Sequence, residues 1–282
     1  MIAVLVAMFV NMVVTNDAFQ WSFMADHMFT PPVMEGVRTT LVLTVYSMLI
    51  GVGFGIVLAI MRLSPNPIIS SVAWVYTWFF RAVPRLVLAI LFGNLGILYA
   101  RLEIGLPFDD QILGLFGGGG NAVIWGVDAN DFLRGFTAGL LALALSEAAY
   151  MAEIVRAGIQ SVDAGQTEAA QAIGMSRGQT MRRVVLPQAM RVIVPPTGNE
   201  TIAMLKDTSV VAFVPVSNEM FFQLRAVGTR TFQVFPMLVA ACLWYVALTS
   251  VLMVGQYFLE KRFSRGVAST ARARARMIGG SH

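Results

Sequence analysis

VRTTLVLTVYSMLIGVGFGIVLAIM, residues 37–61, carries one charge, Arg38, near its start and none afterwards. A bilayer needs about 20 predominantly apolar residues for each helix that crosses it, so this stretch predicts a membrane-spanning helix. Arg62 follows it, and the Pro65/Pro67 pair ends it. Gly51, Gly53 and Gly55 lie inside, where small residues let a neighbouring helix approach closely.

The rest of the chain agrees. Of 282 residues, 57% are hydrophobic and 13% charged, against about 25% charged in an average soluble domain. One soluble core of this size could not hide that much apolar surface. Further apolar blocks cover residues 68–99, 132–154, 184–214 and 235–259. The first is broken by Arg81, Pro84 and Arg85, and the third by Pro195, Pro196, Glu200, Lys206 and Asp207. Proline removes a helix hydrogen bond, and charges cannot face lipid cheaply. Residues 1–14 form a shorter apolar run interrupted by Asn11. They read as a short or tilted membrane helix; a signal peptide is the alternative, but no clear small-residue cleavage site precedes Phe19-Gln20-Trp21. The expected fold is thus all-α and membrane-embedded, with five core helices and one extra N-terminal helix.

Between the spans, residues 101–131 hold Glu103, Asp109, Asp110, Asp128, Asp131 and the Gly117–Gly120 run. They predict a water-exposed loop with one short helix. The glycines are no phosphate cradle, because no Lys-Ser/Thr follows. Residues 215–233 read as a mixed loop.

The net charge of +4 does not indicate nucleic acid, because the arginines gather in loops and in the tail, Arg272, Arg274 and Arg276. Placing the 62–70 loop, the 155–191 segment and the tail on one side collects most of them there. The positive-inside rule makes that side, and the C-terminus, cytoplasmic. Cys242 is the lone cysteine, and His27 and His282 are far apart. No metal ligand set, Ser/His/Asp set or Walker A sequence is visible, so neither metal binding, membrane-embedded catalysis nor ATP hydrolysis by this chain is expected.

The segment 155–191 is too polar to span and too regular for a plain loop. Glu168-Ala169-Ala170-Gln171-Ala172 are strong helix formers. Asp163 or Thr167 can cap their start and Gly174 their end, and Pro187 suits the first turn of the next helix. A short cytoplasmic helix held between two spans suits docking rather than chemistry.

Glu168-Ala169-Ala170, Gly174 and Leu186-Pro187 resemble the EAA motif of the membrane subunits of type I ABC importers. Gly36-Val37-Arg38-Thr39-Thr40-Leu41, Phe80-Arg81-Ala82-Val83-Pro84, Ala149-Tyr150-Met151-Ala152-Glu153-Ile154-Val155-Arg156, Gly165-Gln166, Leu186-Pro187-Gln188-Ala189 and Lys206-Asp207-Thr208-Ser209 are similar to the polar amino acid branch. The resemblance covers residues 34–262, leaving 1–33 as an added helix and connector and 263–282 as a basic tail. It departs at Arg85 and Leu88, where the branch usually has leucine and glutamine.

The resemblance implies a permease for a polar amino acid such as glutamate, glutamine or arginine, in the bacterial cytoplasmic membrane. It implies a coupling helix within residues 163–183, gripped by two copies of an ATPase that bind ATP and Mg. A second permease subunit, sister chain or self, and an extracytoplasmic solute-binding protein complete the assembly, with lipid around it. Glu168, Ala169, Ala170, Gly174, Leu186 and Pro187 are then the coupling residues. Glu147, Arg81, Arg85, Asn199 and Glu200 are candidates for the substrate path, because polar groups inside spans are costly unless used; a guanidinium suits an α-carboxylate, and Glu147 an α-ammonium. Glu153 with Arg156, at i,i+3 spacing, and Lys206 with Asp207 are candidates for structural ion pairs. A self-sufficient secondary transporter or channel is the competing reading. It fits the broken spans and leaves the polar Glu-Ala-Ala helix without a use.

Overall fold

The structure, a computed structural model, describes residues 1–105, 123–215 and 217–263. The expectations for Asp109, Asp110, Gly117–Gly120 and the tail from residue 264 onward lie outside the described residues.

Helices dominate. The chain opens with α1 (Ile2–Thr15), a 3-10 turn (Asp17–Phe19) and α2 (Trp21–His27). The Asn16 side chain accepts from the Ala18 amide and Gln20 takes a left-handed conformation, φ 42°, so the helix cannot run on through this point. Next comes α3 (Pro31–Arg62), opened by two prolines in its first turn, where a missing N–H leaves no helix bond unmade. α4 (Pro67–Ala82) begins with the Ile68 amide donating to the Asn66 side chain. Pro84 is extended, at ψ 138°, and separates α4 from α5 (Arg85–Gly93). The two are bent by 97°.

After α6 (Leu95–Leu98), residues expected as loop form a two-stranded antiparallel sheet instead. β1 (Arg101–Gly105) pairs with β2 (Val123–Asp128), Arg101 opposite Asp128 and Ile104 opposite Trp125. Acidic residues suggested a loop here, yet Leu102, Ile104, Val123, Ile124 and Val127 between them have the branched character that suits a pleated strand. Asp128 then caps the expected short helix, α7 (Ala129–Phe132), accepting from the Asn130 and Asp131 amides.

α8 (Gly135–Gln160) is followed by the short α9 (Ala164–Ala172) and α10 (Arg177–Thr180). A π-helical turn (Met181–Val185) leads into α11 (Leu186–Asp207), which keeps its helical form through Pro195 and Pro196. A 3-10 turn (Thr208–Phe213) follows. The next segment, expected as loop, contains a three-turn helix, α12 (Met220–Thr231), and α13 (Val234–Phe263) completes the described chain.

By length and composition α3, α8 and α13 can each cross a membrane. The bent pairs α1–α2 and α4–α5 raise the number to five if each is one span. α11 is not among them: Arg191, Glu200, Lys206 and Asp207 make it too polar.

The chain divides into two compact units. In the first (1–43, 83–143 and 207–237), the core contains Val33, Leu43, Leu88, Leu143, Met220, Leu224 and Met237. α3 meets α12 almost backbone to backbone, since a Cβ on Gly36 would lie 2.8 Å from the Met220 Cα. In the second (44–82, 144–206 and 238 onward), Leu58, Ala59, Ala73, Ala148, Met151, Ala152, Ala189 and Ile193 are buried. Gly51 and Gly55, one turn apart, lie on α8: a Cβ would stand 2.7 Å from the Glu147 side chain or 2.6 Å from Met151. Gly53 faces open space. Small residues thus bring α3 and α8 together, the packing that works where hydrophobic burial supplies little drive between helices.

Candidate coupling helix and buried polar groups

α9 is built by its two caps. Asp163 fills the N-cap role, its carboxylate accepting from the Gly165 amide at 2.7 Å. At the other end the Gly174 amide donates to Gln171 O at 2.9 Å and the Met175 amide to Ala170 O at 3.1 Å. This pair of bonds around a left-handed residue, φ 86° at Gly174, is the Schellman arrangement. Of the Glu-Ala-Ala triplet, Ala170 is buried while Glu168 and Ala169 are exposed. Ile173 is 79% exposed, beside Gly174, which has nothing near it.

A second device sets the chain's return. Ser176 accepts from the Gln179 amide and the Gln179 side chain accepts from the Ser176 amide, a capping box on α10. The π-helical turn then delivers Leu186 and Pro187 to the first turn of α11, with Leu186 41% exposed. A groove lies between the end of α8 and these short helices, lined by Ile159, Thr167, Gln171 and Met181 among others. The result is a short helix fixed at both ends, presenting the Glu168 carboxylate, the Gln166 and Gln171 amides and small side chains.

The polar residues of the spans go to different places. Glu147 is fully buried, its aliphatic part against Gly51. Arg81 stacks its guanidinium over the Tyr150 ring, 5.6 Å from the centroid, a cation–π contact. Arg85 is ion-paired with Asp207. Asn199 accepts from the Gln256 side chain at 3.1 Å, and Glu200 is half-buried.

Of the expected structural pairs, Glu153 and Arg156 meet at 2.6 Å, and Arg62 adds a second guanidinium at 3.7 Å. Lys206 is exposed, and the ion pair at Asp207 is with Arg85. The reason is directional: adjacent helical residues point about 100° apart, so Lys206 and Asp207 do not face each other.

Three polar residues escaped the sequence reading. Glu219 is fully buried, accepts from the Thr40 hydroxyl at 2.8 Å and caps α12 through the Phe221 and Phe222 amides. Gln256 donates to Pro195 O, Asn199 Oδ1 and Glu260 Oε1. Arg62 was read only as a loop charge. Gln256 carried a signal, being a lone amide in the apolar run 235–259; Glu219, in a stretch read as loop, carried none.

Comparisons with known proteins bear on this geometry. The family model described as binding-protein-dependent transport system inner membrane component matches residues 51–265. The arginine transport system permease protein ArgU of Corynebacterium glutamicum is 42% identical over 97% of this chain and 81% of its own length. The arginine transport system permease protein ArtQ of Bacillus subtilis is 34% identical, covering 80% of this chain and 90% of itself. A crystal structure of an amino acid ABC transporter with histidines aligns with a TM-score of 0.66 at 32% identity, covering 85% of this chain and 98% of that one.

Proposed function

This chain belongs to the family of binding-protein-dependent transport system inner membrane components and is the permease subunit of an ABC importer for a polar amino acid, and from that premise we propose that α9 is the lever through which an ATPase drives it. It is an inner-membrane protein and a transport subunit rather than an enzyme. In the proposed assembly two ATPase subunits, which bind ATP and Mg, grip two permease subunits from the cytoplasm. A solute-binding protein delivers the amino acid from the other side, and the C-terminus faces the cytoplasm.

One observation carries the reading: α9 is short, capped at both ends and held between α8 and α11, with Glu168 and Ala169 turned outward. A rigid element joined to two long helices transmits a push from a partner into the membrane. Glu168 orients it, Ala169 and Ala170 let a partner and the protein's own core approach, Gly174 ends it, and Leu186-Pro187 starts the helix that receives the motion. A self-sufficient channel or secondary transporter has no use for such a helix. Within the membrane Glu147, Arg81, Asn199 and Glu200 are the residues proposed to meet the substrate; Arg85, expected beside them, is engaged by Asp207 instead. Arginine heads the amino acids to be tried, given what the two relatives carry.

The test is Glu168→Lys in the complex of permease, ATPase and solute-binding protein, reconstituted in liposomes. The complex is expected to assemble and hydrolyse ATP while uptake falls by about tenfold or more, the effect of about 1.4 kcal/mol of lost coupling. Wild-type uptake per ATP in this variant sinks the assignment of α9.

A further inference from the structure

Arg85 is the first residue of α5 and follows directly on the break at Pro84; Asp207 is the last residue of α11, where it gives way to the 3-10 turn 208–213. Each charge is badly placed for its own helix. A cation at a helix N-terminus opposes the positive end of the dipole, and an anion at a C-terminus opposes the negative end. Asp207 also stands at the N-cap of the 3-10 turn, yet its side chain makes no cap hydrogen bond there. Brought together they correct one another, Arg85 Nη1 donating to Asp207 Oδ2.

The neighbouring contacts are of another kind. Gly93, at the far end of α5, lies against Val214, and Gly139 of α8 lies against Val211; a Cβ on either glycine would come within 2.6 Å of a valine methyl. The turn is thus held to α5 and α8 by apolar surfaces at residues 211 and 214, and to α5 by charge at 207. The van der Waals part of an apolar contact responds little to the local dielectric. An ion pair responds more, since its attraction falls as the dielectric rises. The Arg85 side chain is 12% exposed and that of Asp207 38%, so the pair is not sealed inside the chain.

We propose that the Arg85–Asp207 pair is a latch that holds α5 to the 208–213 turn, closed in the conformation described here and opened as the permease moves its substrate. The proposal rests on the importer reading above. It assigns a role to a departure from the family pattern, since the branch this chain resembles carries leucine where Arg85 stands.

The experiment uses the reconstituted complex with its ATPase and solute-binding protein, comparing wild type with Arg85→Leu, Asp207→Asn and the double exchange Arg85→Asp/Asp207→Arg. Two quantities are read: ATP hydrolysis without solute-binding protein, and uptake per ATP hydrolysed. Each single variant is expected to raise unstimulated hydrolysis by about fivefold or more and to lower uptake per ATP correspondingly. The exchange is expected to bring both within twofold of wild type. Single variants with wild-type values, or an exchange no better than the worse single variant, overturn the latch. If Asp207→Asn does not assemble, Arg85→Leu, which installs the branch's own residue, decides alone. A wild-type complex that imports no amino acid removes the importer reading itself; wild-type import with unaltered variants removes the latch only.

Discussion

Gly51, Gly53 and Gly55 stand two residues apart and look alike in the sequence, yet they do different things. Gly51 and Gly55 are contact surfaces, and Gly53 touches nothing. Replacing Gly51 by leucine would drive its side chain into Glu147, which is itself fully buried. Overpacking of this kind costs about 1–3 kcal/mol, so Gly51→Leu is expected to lower the melting temperature of the purified permease measurably. Gly53→Ala is expected to leave it unchanged or raise it, because alanine is better than glycine inside a helix by about 0.5–1 kcal/mol. Equal destabilisation by both changes would mean that the α3–α8 contact is drawn wrongly. The sequence announced that small residues pack somewhere on this span. Which of the three do so depends on where α8 lies, and spacing along one helix does not contain that.

At the scale of elements, what was legible followed chemistry local to each segment. Asp163 or Thr167 could be offered as the start of α9 and Gly174 as its end because a cap bonds to amides or carbonyls a few positions away, and the structure selects Asp163. The hairpin and α12 were missed because partners distant in the chain decide them. Thr40 on α3 meets Glu219, and the Glu219 carboxylate organises the start of α12. A glutamate ahead of Met220-Phe221-Phe222 does not advertise a helix, since short side chains are the usual N-caps. Glu219→Ala removes the cap and the bond that the Thr40 hydroxyl donates to it. It is expected to cost about 1–3 kcal/mol and to appear as loss of helical circular dichroism at a lower temperature; an unshifted transition would show that the cap contributes little. Gly174 has φ 86° and open space around it. An alanine there would fit but would strain the backbone by about 1–2 kcal/mol. Gly174→Ala is therefore expected to weaken coupling between ATP hydrolysis and uptake while the purified chain stays folded, and unchanged uptake per ATP would limit Gly174 to a passive stop.

For the whole molecule, composition alone placed the chain in a membrane, because no soluble core could absorb its apolar blocks. The ordered set of short motifs pointed to the family that the comparison then identified. Dividing the chain into spans was harder. α3, α8 and α13 meet a simple length and polarity test, whereas α4–α5 is broken and α11 fails it. The candidate pathway residues were visible as polar letters in apolar text, but their partners were not: Arg85 reaches Asp207, and Arg81 reaches Tyr150.

The polarity of α11 bears on how the protein is made. Pro195 and Pro196 supply no amide hydrogens, and Asn199 and Glu200 would find no partner in bare lipid. The Gln256 amide that attends to Pro195 O and Asn199 belongs to α13, 61 residues beyond Pro195. A ribosome finishes α11 well before it reaches that glutamine. Shielding of α11 until α13 emerges beside it is therefore expected, and with it insertion of the two as a couple rather than in succession.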